Sequence, residues 1–254
     1  MPPVENLPEG APGWMDLAAT DFDAAVAFYT ALFGWEHRDL GEHFRHYGQF
    51  THRGAPVAGV VPLQGDEQTP GWHVYLWTTD AEAVAGRIGS HGGTVDVPPQ
   101  DVPGMGRYLF ATDPVGGQIG CWQATGHPGF VRLAEAGAPC WFELWTTDYD
   151  TALPFYRDAL GWDVHEMPGG DGFRYATHGA EDAASAGLFD AAAALGEHGR
   201  PTWMVYLGAA DVDAAAARAV DLGGTVADAP AETPYGRMVD VADPNGAPLR
   251  IITA

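Results

Sequence analysis

Two stretches of the chain carry the same alternation of apolar and polar positions. The run Trp14-Met-Asp-Leu-Ala-Ala-Thr-Asp-Phe-Asp-Ala-Ala-Val-Ala-Phe-Tyr-Thr-Ala-Leu-Phe-Gly-Trp35 returns in register as Trp141-Phe-Glu-Leu-Trp-Thr-Thr-Asp-Tyr-Asp-Thr-Ala-Leu-Pro-Phe-Tyr-Arg-Asp-Ala-Leu-Gly-Trp162. Each opens with a period of two, placing Trp14, Asp16 and Ala18 on one face of a strand and Met15, Leu17 and Ala19 on the other. Aspartates suited to capping a helix follow, Asp21 or Asp23 in one copy and Asp148 or Asp150 in the other. Ala25, Phe28, Tyr29 and Leu32 then fall at i, i+3, i+4 and i+7, one face of a helix. Gly34 and Gly161 stand where a left-handed residue ends it. Each copy therefore predicts a strand, a helix and a return.

The separation between halves is 127 residues at Trp14/Trp141 and Gly34/Gly161, 131 at Trp72/Trp203 and Asp80/Asp211, and 130 at Gly106/Gly236 and Asp113/Asp243. Loop insertions of a few residues account for the drift, so the chain is a tandem duplication. A fainter repeat runs inside each half: Trp14 to Asp21 has the spacing of His73 to Asp80, and Trp141 to Asp148 that of Met204 to Asp211. Four units of strand, helix and further strands result. Helices are predicted near 22–33, 81–91, 149–160 and 211–222. Phe44–His52, Ala55–Leu63, Gly106–Asp113 and Gln118–Gln123 read as strands, with turns at Asp113-Pro-Val-Gly and Asp243-Pro-Asn-Gly. Gln64 to Gly71 reads as a polar loop, with Ala191 to Pro201 in the same place of the second half. The predicted domains are 10–124 and 140–254, joined by a linker at 125–139.

Composition narrows the class. With 46% hydrophobic and 11% aromatic residues the 254-residue chain can fill packed cores, and no apolar run approaches a membrane span of about 18 residues. The opening Met-Pro-Pro-Val-Glu-Asn has neither the basic nor the apolar region of a signal peptide. Cys121 and Cys140 lie in no metal or redox spacing and read as reduced thiols, which points to the cytoplasm. A net charge of −22 speaks against nucleic acid or anionic membrane as a partner, and fits either general solubility or attraction of a cationic ligand. Nothing in the sequence fixes a state beyond monomer or homodimer. Ser90 and Ser185 lack the context of a nucleophile elbow, and no phosphate loop occurs.

The pattern Asp-x-x-x-Ala-x-x-Phe-Tyr-x-x-x-(Leu/Phe)-Gly-Trp, with the closing Asp-Pro-x-Gly, resembles the vicinal oxygen chelate superfamily, which holds glyoxalases, bleomycin- and fosfomycin-resistance proteins and extradiol dioxygenases. The resemblance runs from Trp14 to Ile252, occurs twice, and is to the tandem two-domain actinobacterial type. It implies an α+β fold of two tandem domains, each of paired βαβββ modules curling into a half-open barrel around a ligand cavity. It also implies where metal-using members keep their ligands, and those positions here are Trp14, His73 and Gly120 in one half and Trp141, Met204 and Arg250 in the other. Three or so converging nitrogen or oxygen donors are needed for such a metal, and of these positions only His73 offers one. No metal and no cofactor are therefore expected.

Two residues beyond the lost positions, on the same strand face, stand Asp16 and Glu143, the candidate catalytic or anchoring acids. A poor site from Asp16, His73 and His46 or Cys121 stays open, as does pairing of the acids with Arg107 or Arg237. Around the acids the same alternation gathers Trp14, His73, Tyr75, Trp77 and Trp122 in the first half, and Trp141, Trp145, Met204, Tyr206 and Arg250 in the second. These side chains either fill each barrel as core or form walls for a small-molecule ligand. Aromatic walls with a carboxylate suit a planar aromatic or cationic guest, and the resemblance to bleomycin-resistance proteins implies a drug held without metal. The expected roles are drug sequestration or an accessory part in a natural-product pathway. The rivals are a glyoxalase-like lyase, a metal-free isomerase or hydratase using Asp16 or Glu143, and a packed scaffold.

Overall fold

A computed structural model describes residues 7–63, 70–170 and 172–254. The opening hexapeptide and residues 64–69 of the polar loop expected at Gln64 to Gly71 lie outside the described residues. The first half runs β1 (Pro12–Ala19), α1 (Phe22–Phe33), β2 (Glu36–Asp39), β3 (Gly48–His52), β4 (Ala55–Pro62), β5 (Gly71–Trp77), α2 (Ala81–Ser90), β6 (Thr94–Val102), β7 (Gly106–Thr112) and β8 (Gln118–Ala124). The second runs β9 (Pro139–Thr146), α3 (Tyr149–Leu160), β10 (Val164–Glu166), β11 (Tyr175–His178), β12 (Ala186–Asp190), α4 (Ala192–Leu195), β13 (Thr202–Ala209), α5 (Val212–Asp221), β14 (Thr225–Val226), β15 (Ala231–Thr233), β16 (Gly236–Ala242) and β17 (Pro248–Thr253). This is βαβββ in each of four modules, the fourth with the short extra strand β15, an α+β fold in two tandem copies.

Each half forms one open sheet, ordered β2-β3-β4-β1-β5-β8-β7-β6 in the first and β10-β11-β12-β9-β13-β17-β16-β14 in the second, where β15 also pairs with β16. Within each module the opening strand pairs in parallel with the closing one, β1 with β4, β5 with β8, β9 with β12 and β13 with β17. A parallel pair needs a crossover, and the module's helix supplies part of it. Neither sheet closes into a barrel.

The helices follow the predicted spans to within a residue, and the structure chooses among the capping aspartates. Asp21 accepts from Ala24 N at 3.0 Å and Asp148 from Thr151 N at 3.1 Å. Gly34 and Gly161 adopt φ of 68° and 76°. Along α1, Ala25, Phe28 and Tyr29 are buried as the spacing predicts, but Phe33 rather than Leu32 completes the buried face. Two local departures have physical causes. The stretch Phe44–His52 is a strand only from Gly48, because Arg45 and His46 take left-handed φ values of 54° and 58° that a pleated strand cannot hold. Alanine-rich text after Ala191, read as loop, winds one helical turn as α4, consistent with the helix preference of alanine. Cys121 and Cys140 are both free thiols. Among the described residues no helix is long and apolar enough to cross a membrane.

By compactness the chain divides into two units that do not follow its halves. One comprises Met1–Trp14, His73–Gly129 and Phe142–Trp203, and the other Met15–Trp72, Phe130–Trp141 and Met204–Ala254. Each unit is tied by one buried carboxylate. In the first, Asp113 accepts from the backbone N–H of Val115 and of Gly117, both at 2.8 Å, and from the Tyr156 hydroxyl of α3 at 3.2 Å. In the second, Asp243 accepts from Asn245 N at 2.8 Å, Ala247 N at 2.9 Å and the Tyr29 hydroxyl of α1 at 3.3 Å. The Trp72 indole in turn donates to Tyr29 Oη at 3.2 Å. Burial pushes both carboxyls above the ordinary aspartate range, against the hydrogen bonds that pull them down.

Asp113→Ala should destabilise the fold by about 3 kcal/mol, because it strands two buried N–H groups and a buried phenol. Asp113→Asn keeps an oxygen for the turn and should cost about 1 kcal/mol; urea unfolding of both variants checks the order. A second expectation concerns acid. His178 is buried, accepts from Asp163 N at 3.0 Å and stacks on Trp162 at 5.4 Å. Burial holds its imidazole below the ordinary range. The fold thus favours the neutral ring, so its contribution is present above the unfolded value of about 6.5 and lost as pH falls from there through the folded value. Melting temperature should drop below about pH 6.5, and His178→Gln should flatten that drop.

Candidate functional site

Alternation gives the central strands two unlike faces. On one, Met15 and Leu17 of β1, Val74 and Leu76 of β5, Phe142 and Leu144 of β9, and Val205 and Leu207 of β13 are sealed at 0–1% exposure. On the other, Trp14, Asp16, Tyr75, Glu143, Met204 and Tyr206 retain 5–7%. His73, Trp77, Trp122, Trp141, Trp145 and Arg250 on these partly open faces are half-buried. All twelve residues singled out from the sequence therefore stand on the face that keeps contact with solvent.

In the unit containing Trp14, three groups form. Trp14 meets the His127 ring edge-on at 4.6 Å, and Trp122 does so at 6.1 Å while its indole donates to His127 O at 3.0 Å. Burial lowers the His127 imidazole, whose Nδ1 accepts from Gly129 N at 3.0 Å. His73 and Tyr75 both approach Phe110 of β7, at 6.0 and 5.3 Å. Gly120, opposite Tyr75 in the β5–β8 register, leaves room for the Tyr75 ring: a Cβ there would lie 2.6 Å from Cδ1. Glu143 accepts the Trp145 indole N–H at 2.6 Å, and Trp145 leads through Phe189 to Tyr175 and Phe173.

In the other unit, Tyr47 donates its hydroxyl hydrogen to Asp16 Oδ1. Both lie over Gly59, the register partner of Asp16, where a Cβ would overlap the phenol oxygen and the carboxylate. Arg250 forms a two-pronged pair with Asp240, donates to Tyr206 Oη at 2.7 Å and holds its guanidinium 5.1 Å from that ring's centre. Arg107 and Arg237, weighed as partners for the two acids, bind Glu82 and Asp101, and Asp213 and Glu232, on the surface. Among the described residues no group of three or more His, Cys, Asp or Glu side chains is arranged to hold a metal ion.

Sequence reasoning missed Tyr47, Phe110, His127, Tyr175, Phe189 and Asp240, which lie outside the opening strands. A signal was present for two of them: Tyr47 and Tyr175 stand 128 residues apart, as do Gly59 and Gly187, close to the separation of the acids.

An open α+β sheet built twice from paired βαβββ modules is the architecture of one superfamily. The chain matches the Glyoxalase/Bleomycin resistance protein/Dioxygenase superfamily over residues 11–119 and 139–251 and belongs to it. It is 35% identical to the Putative glyoxylase CFP32 of Mycobacterium tuberculosis, over 99% of this chain and 98% of that protein. It is also 35% identical to the Anthracycline biosynthesis protein DnrV of Streptomyces peucetius, over 96% of this chain and 93% of that one. Among solved structures, the Mn(II)-bound glyoxalase from Novosphingobium aromaticivorans superposes with a TM-score of 0.68 at 18% identity, covering 96% of this chain and 82% of that one. That likeness supports the fold alone.

Gly59→Ala should force Tyr47 and Asp16 apart and destabilise the chain by about 1–3 kcal/mol through overpacking. Chemical denaturation beside Ala58→Gly, a change without such overlap, checks that the loss comes from the crowded pair.

Proposed function

We propose that the chain is a metal-independent binding protein for a planar aromatic small molecule, preferentially one bearing a cationic or donor group. The observation that carries this reading is the partly open strand face, which bears tryptophans, tyrosines and two acids. Of the six positions where the family resemblance expects metal ligands, only His73 brings a ligand nitrogen, too few for a divalent cation. Gly120 brings no donor and is covered by Tyr75, and Arg250 brings a positive charge already paired with Asp240. Trp14, Trp141 and Met204 bring rings and a thioether instead. Stacking on such rings contributes about 1 kcal/mol per good contact, and a carboxylate beside them favours a donor or a positive charge. The relatives named as anthracycline biosynthesis proteins agree with a flat polycyclic ligand. Drug sequestration or an accessory role in a natural-product pathway fits that ligand class, and the free thiols of Cys121 and Cys140 support a cytoplasmic setting.

A second reading has its own support. The Asp16–Tyr47 pair is suited to acid–base work, and one relative is named a putative glyoxylase. A glyoxalase-like lyase, or an isomerase or hydratase using Asp16 or Glu143 without metal, would use it.

Planar amine-bearing compounds should quench tryptophan fluorescence at roughly micromolar concentration, an affinity near 8 kcal/mol, while simple anions should not. Trp14→Ala should weaken flat ligands of any charge and Asp16→Asn the amines alone. Turnover of a methylglyoxal–thiol adduct, or one Zn, Ni, Mn or Fe per chain that disappears in His73→Ala, would replace the binding reading with the enzymatic one.

A further inference from the structure

The loop after β8 is built to hold one imidazole. The backbone N–H groups of Thr125, Gly126 and His127 all donate to Met105 O, at 2.9, 2.8 and 3.0 Å. A Cβ on Gly126 would come within 2.0 Å of Gly104 O, and one on Gly129 within 2.2 Å of Gly13 O. Gly129 also takes a φ of 86°, which turns its N–H back toward the loop. The segment is thus pressed between the β6–β7 turn and β1, and its backbone has little freedom.

His127 is fixed at every group but one. Its carbonyl accepts the Trp122 indole N–H at 3.0 Å, and its Nδ1 accepts the Gly129 N–H at 3.0 Å. Its ring stands edge-on to Trp14 at 4.6 Å and to Trp122 at 6.1 Å. A neutral imidazole has one acceptor and one donor nitrogen, and Gly129 occupies the acceptor, so the hydrogen sits on Nε2. Burial holds the ring below its ordinary range, which favours that neutral form. Among the described residues nothing accepts the Nε2 hydrogen, and the half-buried ring does not seal that atom from solvent.

We infer that His127 is a specificity-determining residue of the first-half face, donating its Nε2 hydrogen to a ring carbonyl on a flat ligand beside Trp14 and Trp122. The inference rests on the binding function proposed above and adds a second feature to that ligand, an oxygen of the quinone or aryl-ketone class. A flat compound that covers the imidazole and brings an acceptor satisfies the donor. One of the same outline without the oxygen strands it, which is how a site made for hydrogen bonding rejects an analogue lacking the partner atom. Because the donor is neutral and held on a braced loop, it discriminates by the position of the oxygen rather than by charge.

His127→Phe keeps a ring between the indoles and removes both nitrogens, while His127→Gln returns an amide N–H near the place of Nε2. The full chain and both variants are titrated by tryptophan fluorescence with 2-aminoanthraquinone and 2-aminoanthracene, flat amines of one outline that differ by the ring carbonyls. Melting temperatures are recorded for each. His127→Phe should weaken the quinone about tenfold, some 1.4 kcal/mol, and leave aminoanthracene within about twofold, and His127→Gln should recover most of that loss. Should His127→Phe melt early, proton–nitrogen NMR of the unaltered chain takes its place. The His127 Nε2–H signal, absent from His127→Gln, should then move on adding the quinone and stay on adding aminoanthracene. Equal loss or equal signal movement for both compounds, no effect for either, or binding of aminoanthracene alone overturns the inference and leaves the binding function standing. If neither compound binds the unaltered chain, the binding function fails and this inference with it.

Discussion

Asp113 and Asp243 impose the constraint on which the architecture depends. A carboxylate taken out of water must have its oxygens satisfied, and each of these accepts two turn amides and one tyrosine hydroxyl. The tyrosine comes from a helix of a different module, so satisfying the turn also fixes that helix. Asp113 ties the segment after His73 to α3, and Asp243 ties the C-terminal segment to α1. Both bonds lie inside compact units that cut across the two sequence halves. Duplication thus made two sheets, while buried polar bonding groups the modules in another way.

The two unlike faces of the central strands follow from the same layering. A central strand that packs one side against a helix must make that side wholly apolar, which leaves its alternate positions for other uses. Met15, Leu17, Val74, Leu76, Phe142, Leu144, Val205 and Leu207 meet the first demand. Tryptophan, tyrosine, histidine, aspartate and glutamate occupy the second set, where slight solvent contact remains. Gly59, Gly120 and Gly187 matter there because a missing side chain leaves room for a tyrosine, Tyr47 from the turn before β3, Tyr75 of β5 and Tyr175 of β11.

The two halves have kept the scaffold and changed the chemistry. Tyr75, Gly120 and Phe110 make an apolar wall in one half. Their counterparts Tyr206, Arg250 and Asp240 make a hydrogen-bonded ion pair in the other. Arg250 is half-buried, and the planar fork of guanidinium against carboxylate is geometrically demanding, so it stiffens that part of the sheet and adds little net charge.

The repeat, the four βαβββ modules, the helix spans and the two-faced strands were legible in the sequence, because period-2 and period-3.6 patterns, capping aspartates and terminal glycines act over a few residues. The placement of Trp14, Asp16, His73, Glu143 and Tyr206 on one kind of face was legible for the same reason, since alternation along a strand needs no partner. Which residues those side chains touch was not. Tyr47 reaches Asp16 from 31 positions away, through a turn whose left-handed Arg45 and His46 no local preference announces. Tyr156 reaches Asp113 from 43 positions away and Tyr29 reaches Asp243 from 214. Such bonds depend on which strands lie side by side and which helix covers them, and only burying the polar groups together in three dimensions decides that.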